Sequence, residues 1–448
     1  MRNGIAAARD AVRTELWPLP TVGVIVALGL GVGLPRLDRR VDAHLPSWST
    51  QYLFGGDADA ARTLLDAVAG SLITVTSLTF SLTVVTLQLA SGQFSPRLLR
   101  TFTRDLFVQA TLALFLATFT YALTVLRSVR TAGSGQSALV PRLSVTIGFV
   151  LAVVSVLGLV LFLAHLAQQI RVETMLRKVH ADATDTADRM LNHQDASRSA
   201  VMAPVVADSA TAIAVTRSGF LTGVDAEALC AAAVDADAVI VVDPHPGDAI
   251  VAGTPAGWVW SRTGQNLSAD VLEQLTGSFE RSVSVGFERT DTQDIGFGLR
   301  QLTDVANKAV SPGINDPTTA VHALGHSAAL LCEIADRDLG TRVVADENGV
   351  TRVVMRRPDL ADLLELAISQ PRRYGASDPA VLAQIYTLLR QLGWVCRSSA
   401  REVIDAQRRR LDATVAAQGF DPVERADLAA LSDQVVASAD GRWRPRPE

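Results

Sequence analysis

Cysteine is scarce: three residues in 448, Cys230, Cys332 and Cys396, stand without paired or metal-type spacing. That excludes a disulfide framework and suits a reducing compartment. Basic charge is not in excess either, since 41 Lys and Arg face 46 Asp and Glu for a net charge of -5. Without an electropositive field, nucleic acid is not an expected partner. The chain has no nucleophile elbow, no phosphate-cradling Gly loop followed by Lys, and no dinucleotide fingerprint, because Gly296-Phe-Gly-Leu-Arg-Gln does not fit one. No catalytic residue, cofactor or metal site is assigned. The most telling absence is local: no Asp, Glu, Lys or Arg lies inside the stretches bounded by Glu15 and Arg36, Asp66 and Arg97, Asp105 and Arg127, or Arg142 and Arg171.

Each of these four apolar stretches is long enough to cross about 30 Å of hydrocarbon as a helix. They predict transmembrane helices at about 16–34, 68–90, 106–126 and 143–167, with residues 1–171 forming a transmembrane domain. Arg2, Arg9 and Arg13 precede the first helix as in a secretory signal, but no small-x-small cleavage site follows, so the helix reads as a retained anchor. Its glycines at 23, 29, 31 and 33 suit close helix approach. Four spans place both termini on one side. Lys and Arg near the helix ends favour that side slightly, with Arg97, Arg100, Arg104, Arg171, Arg177 and Lys178 joining the N-terminal arginines. The expected location is the plasma (inner) membrane, multi-pass, with cytoplasmic termini and the lipid bilayer as first partner. The uncharged spans also lack the groups of a proton relay, voltage sensor or ion-coupling site, which disfavours coupled transport.

After Arg171 no comparable span occurs. Residues 172–204 read as a helical stalk and linker. Residues 205–262 alternate short strands with turns and one helix, a small β-rich module. Residues 263–448 are mainly helical, interrupted by a β-hairpin near 341–355 around Asn348-Gly349, a strong turn signal. The fold class is therefore a membrane protein, mainly α: a four-helix transmembrane region followed by an α+β soluble domain with a helical C-terminal part.

Two stretches carry unusual chemistry. In the second span, hydroxyls sort at 100° per residue into two stripes. Ser71, Thr74, Ser77, Ser81 and Gln88 share one face, and Thr76, Thr79, Thr83 and Thr86 lie roughly opposite. Such stripes either line a hydrated path or form a helix-packing surface whose hydroxyls bond back to the preceding turn. The other stretch is a polar corner between two helices. Arg300, Asp304, Asn307 and Lys308 occupy one helix face, Ser311-Pro-Gly stops the helix, and Asn315 and Asp316 begin the next with Pro317 in its first turn. It is either a capped helical corner or an anion-holding loop beside free N–H groups. His322 and His326 follow four residues apart, without the Glu and third ligand of a zinc motif.

Together, Ser77-Leu-Thr-Phe-Ser-Leu-Thr-Val-Val-Thr-Leu-Gln-Leu-Ala-Ser-Gly-Gln-Phe-Ser-Pro-Arg and Ala309-Val-Ser-Pro-Gly-Ile-Asn-Asp-Pro-Thr-Thr-Ala resemble the bacterial predicted membrane proteins grouped as domain of unknown function 2254. The resemblance spans nearly the whole chain and implies a topology and a bacterial setting, not an activity. The hydroxyl stripes motivate an oligomeric channel or passive transport protein with a cytoplasmic regulatory domain, the polar corner motivates the alternative of a membrane-anchored sensor or scaffold whose soluble domain binds a metabolite or protein, and a membrane-bound enzyme is the least favoured third. A homo-oligomer is expected in the first two cases.

Overall fold

The computed structural model describes residues 17–41, 53–93, 105–130, 140–169, 171–192, 205–396 and 400–444, and resolves into two units, Met1–Arg171 and Val172–Glu448. Arg2, Arg9, Arg13, Arg97, Arg100 and Arg104, which informed the expected orientation, lie outside the described residues.

The first unit consists of α1 (Pro18–Val41), α2 (Ala58–Gln93), α3 (Leu106–Leu126) and α4 (Arg142–Gln169). Each contains a stretch long and apolar enough to span a bilayer. The helix α3 is the hub, packed against the other three. Small residues set the spacing: a Cβ at Gly31 would stand 2.7 Å from the Thr124 Cβ, and one at Gly23 would stand 3.2 Å from the Ala113 carbonyl oxygen. Gly29 and Gly33 face open space instead. Leu65, Phe115, Tyr121, Ala122, Val125 and Val145 fill the interior. The outer surface of α4 is apolar, with Phe149, Val153, Leu157 and Leu161 exposed, as a lipid-facing helix requires.

One helix end differs from the sequence expectation. The helix α1 continues through Pro35 to Val41 instead of stopping near residue 34. Its extension carries Asp38 to the start of α4, where the carboxylate accepts from the Leu143 N–H (3.3 Å), the Ser144 N–H (3.0 Å) and the Ser144 hydroxyl (2.9 Å). The helix α2 begins at Ala58, where Asp57 accepts from the Ala60 N–H. At 36 residues, α2 is about 54 Å long at 1.5 Å per residue, so it tilts or projects beyond a hydrocarbon layer of about 30 Å.

The second unit opens with α5 (Val172–Met190). Sequence pattern suggested a stalk, but α5 is a packed element: Met175, Leu176, Val179, Ala183 and Ala187 are buried on the side facing α8 (Phe297–Ala309) and α9 (Pro317–Ile334). An amphipathic face of that width needs a partner, and a Cβ at Gly298 of α8 would meet Ala183 Cβ at 2.3 Å.

The strands are β1 (Thr211–Ala214), β2 (Gly219–Val224), β3 (Ala238–Val242), β4 (Ala249–Ile250), β5 (Pro255–Ser261), β6 (Val283–Gly286), β7 (Arg342–Ala345) and β8 (Thr351–Met355). They form a five-stranded sheet ordered β1-β5-β3-β8-β7 and a three-stranded sheet ordered β4-β2-β6. The β-rich part is therefore wider than the segment 205–262. The β7–β8 hairpin joins the main sheet through a parallel pairing of β8 with β3, Ile240 opposite Val353 and Val242 opposite Met355. The strand β6 follows directly from α7 (Ala269–Ser282). Both sheets, α6 (Ala226–Asp235) and α7 enclose one core around Ile213, Leu221, Leu229, Ile240, Val259 and Phe279. Gly257 is obligatory there, since a Cβ would lie 2.6 Å from the Val241 carbonyl oxygen.

The remaining helices are α10 (Leu360–Tyr374), α11 (Pro379–Cys396), α12 (Arg401–Ala416) and α13 (Pro422–Ala439). They bury apolar stripes that include Leu364, Ile368, Leu382, Leu389, Ile404 and Leu411.

Candidate functional site

The two hydroxyl stripes of α2 have different surroundings. Thr76, Thr79, Thr83 and Thr86 are buried within the four-helix unit. Three of them offset their desolvation by donating to the carbonyl one turn back: Thr76 to Leu72 (2.7 Å), Thr83 to Thr79 (2.8 Å) and Thr86 to Leu82 (2.9 Å). The Thr79 hydroxyl is buried without a partner. The threonine stripe is therefore the packing surface.

Ser71, Thr74, Ser77, Ser81 and Gln88 are all exposed on the outside of the unit. Ser71 donates to the Ala67 carbonyl (2.6 Å) and Thr74 to that of Gly70 (3.2 Å). Leu78, Val84 and Val85 are exposed on the same side. Among the described residues no helix covers that face, which presents polar groups where lipid tails offer none with which to bond.

The first unit also holds a polar node at the start of α3. Asp105 caps α3 by accepting from the Phe107 and Val108 N–H groups. Its second carboxylate oxygen lies 2.6 Å from His165 Nε2 and accepts from Gln169 Nε2 at 3.1 Å. An Asp directly before an apolar run is a legible cap, but its partners on α4 are more than fifty residues away.

In the second unit the polar corner is built mostly as a helix junction. The Ser311 hydroxyl donates to the Lys308 carbonyl, the Asn315 N–H to that of Ser311 (2.9 Å), and the Asp316 N–H to that of Ala309 (2.8 Å). Asn315 adopts a left-handed φ of 50°, which Asn tolerates better than most residues. Asp316 caps α9, accepting from the Thr319 N–H and hydroxyl, and those hydrogen bonds hold its carboxyl below the ordinary range. The predicted residues do not converge on one point. Asn307 Nδ2 donates to Gln370 Oε1 (2.7 Å) while its own Oδ1 is buried without a donor. Lys308 is exposed, Arg300 and Asp304 lie half-buried on α8, and His322 turns to α5, its Nδ1 2.5 Å from Glu173 Oε1.

His322 and His326 do not act as a pair. His326 stacks edge-on against His180, 5.6 Å between ring centres, and burial followed by the neighbouring His180 pushes its pKa below the ordinary histidine value. His180 in turn meets Glu333, which also accepts from the Thr184 hydroxyl. The result is a polar seam between α5 and α9. Among the described residues, no three His, Cys, Asp or Glu side chains group as a metal site. Burial pushes the thiols up, Cys332 to about 11 and Cys396 to about 12, so neither is a ready thiolate at neutral pH.

Sequence reasoning missed a second locking point. Gln293 binds the backbone of Val224 at both ends, its Oε1 accepting from the N–H (2.9 Å) and its Nε2 donating to the carbonyl (3.3 Å). Beside it Arg289 donates to the buried Asp294 carboxylate at 2.9 and 2.6 Å. Asp294 Oδ2 lies so near Gly247 that a Cβ there would come within 2.2 Å. These contacts tie the segment before α8 to the three-stranded sheet. No local periodicity announces such a connection.

The four apolar helices and the mixed second unit define a predicted integral membrane protein with a substantial non-membrane part. The chain belongs to the family of predicted membrane proteins designated domain of unknown function 2254, whose model matches residues 13–391. It is similar to uncharacterized proteins of Mycobacterium bovis and Mycobacterium tuberculosis. Each is 34% identical over 444 residues, an alignment covering 95% of this chain and 84% of the relative. No solved structure matches it.

Proposed function

We propose that the chain is a homo-oligomeric channel or passive transport protein of the plasma membrane, in which the outer faces of several α2 helices surround a path for ions or small polar solutes. The observation that carries this reading is the exposure of Ser71, Thr74, Ser77, Ser81 and Gln88 on a helix whose opposite threonines are buried. Interhelical hydrogen bonds in membranes average only about 0.6 kcal/mol. Hydroxyl pairing alone is therefore a weak cause of association, and Leu78, Val84 and Val85 on the same side supply the packing. The path is passive, because no acidic or basic side chain stands mid-span in α2 to couple movement to a proton or ion. The second unit is the regulatory part, on the cytoplasmic side with both termini.

The test is flux from liposomes containing the full-length protein. Wild type is expected to release ions or small polar solutes, and Ser77→Leu with Ser81→Leu to abolish that release. No flux from wild type, or an unchanged flux in the double variant, overturns the reading.

A second reading, a membrane-anchored sensor or scaffold, draws support from the unpartnered Asn307 Oδ1 beside the polar corner. It predicts that Asn315→Ala and Asp316→Ala alter ligand or partner binding by the full-length protein without altering flux.

A further inference from the structure

A groove of about 590 Å³ lies between α1 and α3, toward their C-terminal ends. Leu28 and Val32 line it from α1 and Leu123 from α3, and all three are exposed. One helical turn beyond Val32 comes Arg36, and one turn beyond Leu123 comes Arg127, with Arg130 just after the helix. Both walls therefore change from apolar to basic at the same end of the unit. Leu28 to Arg36 covers about 12 Å of helix axis at 1.5 Å per residue, a depth that takes the upper part of an acyl chain below a headgroup.

The donors in the groove are the arginines. The Thr124 hydroxyl already donates to the Thr120 carbonyl (2.6 Å), and the Ser128 hydroxyl to that of Val125 (2.6 Å). Arg36 and Arg127 are exposed, and neither makes an ion pair among the described residues. The carboxylate closest to Arg36 along α1, Asp38, is 3% exposed and engaged with the start of α4. Guanidinium groups prefer phosphate, which they grip with two parallel N–H donors. The apolar walls require a chain attached to that phosphate.

We propose that this groove binds an anionic phospholipid, its phosphate held by Arg36 and Arg127 and one acyl chain lying along Leu28, Val32 and Leu123. A zwitterionic lipid is disfavoured, because its cationic headgroup would sit beside Arg36 and Arg127. This site is on the α1–α3 side and is independent of the proposed path along α2.

The experiment is native mass spectrometry of the full-length protein taken from nanodiscs of phosphatidylcholine with a graded fraction of phosphatidylglycerol. Wild type is expected to retain phosphatidylglycerol in preference to phosphatidylcholine. Arg36→Gln with Arg127→Gln should lower that retention about thirty-fold, the equivalent of about 1 kcal/mol for each arginine. Arg142→Gln, an exposed arginine at the start of α4 outside the groove, should leave retention unchanged. Equal retention of the two lipids by wild type overturns the proposal, whether or not the double variant folds. So does unchanged retention in a folded double variant, or an equal loss in Arg142→Gln.

Discussion

At the scale of single residues, the membrane unit holds two polar groups with opposite consequences. Thr79 is 2% exposed and its hydroxyl has no partner. An unsatisfied buried hydroxyl costs about 1–3 kcal/mol, so Thr79→Val, which keeps the shape, should raise the thermal midpoint in detergent. Thr83→Val, which removes a hydroxyl already bonded to its own helix, should not. Asp38 is the reverse case. Its three hydrogen bonds satisfy donors at the start of α4, where the helix dipole also favours negative charge. Loss of such a cap costs about 1–2 kcal/mol. Asp38→Ala is expected to lower the midpoint clearly and Asp38→Asn to lower it less, because an amide still accepts. A variant as stable as wild type would show that the cap is dispensable.

At the scale of elements, α10 and α12 meet through Glu365, which accepts from Gln407 Nε2 (2.8 Å) and from Arg410. Burial alone would raise this carboxyl, but hydrogen bonds from Arg410, Gln407 and Ser369 together draw it down to about 2. A depressed folded-state pKa means that the contribution is fully present above the ordinary carboxylate value and is lost as pH falls toward 2. Unfolding followed between pH 5 and pH 2 should therefore show an acid-dependent loss that Glu365→Gln flattens. The side chain is 42% exposed, so the effect is small and diminishes with salt. An identical pH slope in the variant would remove Glu365 from the account.

Elements also mark the limit of what sequence reveals. The four spans are legible because an uncharged run of that length has few other uses. The β7–β8 turn is legible because Asn348-Gly349 supplies a glycine at φ 77°. The placement of β8 beside β3 is not legible, because a parallel pairing between distant segments leaves no local period. The strand β6 is hidden for another reason: α7 runs into it at Val283 without a turn residue between them. Within the candidate site, the 100° periodicity separates the two stripes of α2 but cannot say which one the bundle buries. That depends on α3 and α4. The polar corner shows the converse, since its caps are readable residue by residue, while the turning of His322 toward Glu173 depends on α5 packing against α9.

At the scale of the whole molecule, the distribution of cysteine makes the proposed association testable. All three cysteines lie in the second unit, so a thiol placed on α2 is the only one in the first. If copies meet through the outer face of α2, equivalent residues on that face approach across a symmetry axis, as an isologous or ring contact demands. Leu78→Cys and Val85→Cys, at the packing positions beside the path, should then form intermolecular disulfides under mild oxidation in native membranes, because bridged Cα atoms stand only about 5.5–6 Å apart. Phe149→Cys on the outer face of α4, 51% exposed, should not, since that surface faces lipid in the proposed arrangement. Wild type supplies the background, which should be low, as burial pushes Cys332 and Cys396 to high pKa and raises that of Cys230 as well. Cross-linking from Phe149→Cys alone would move the interface to α4 and leave the hydroxyls of α2 facing lipid, a position in which they could line no path.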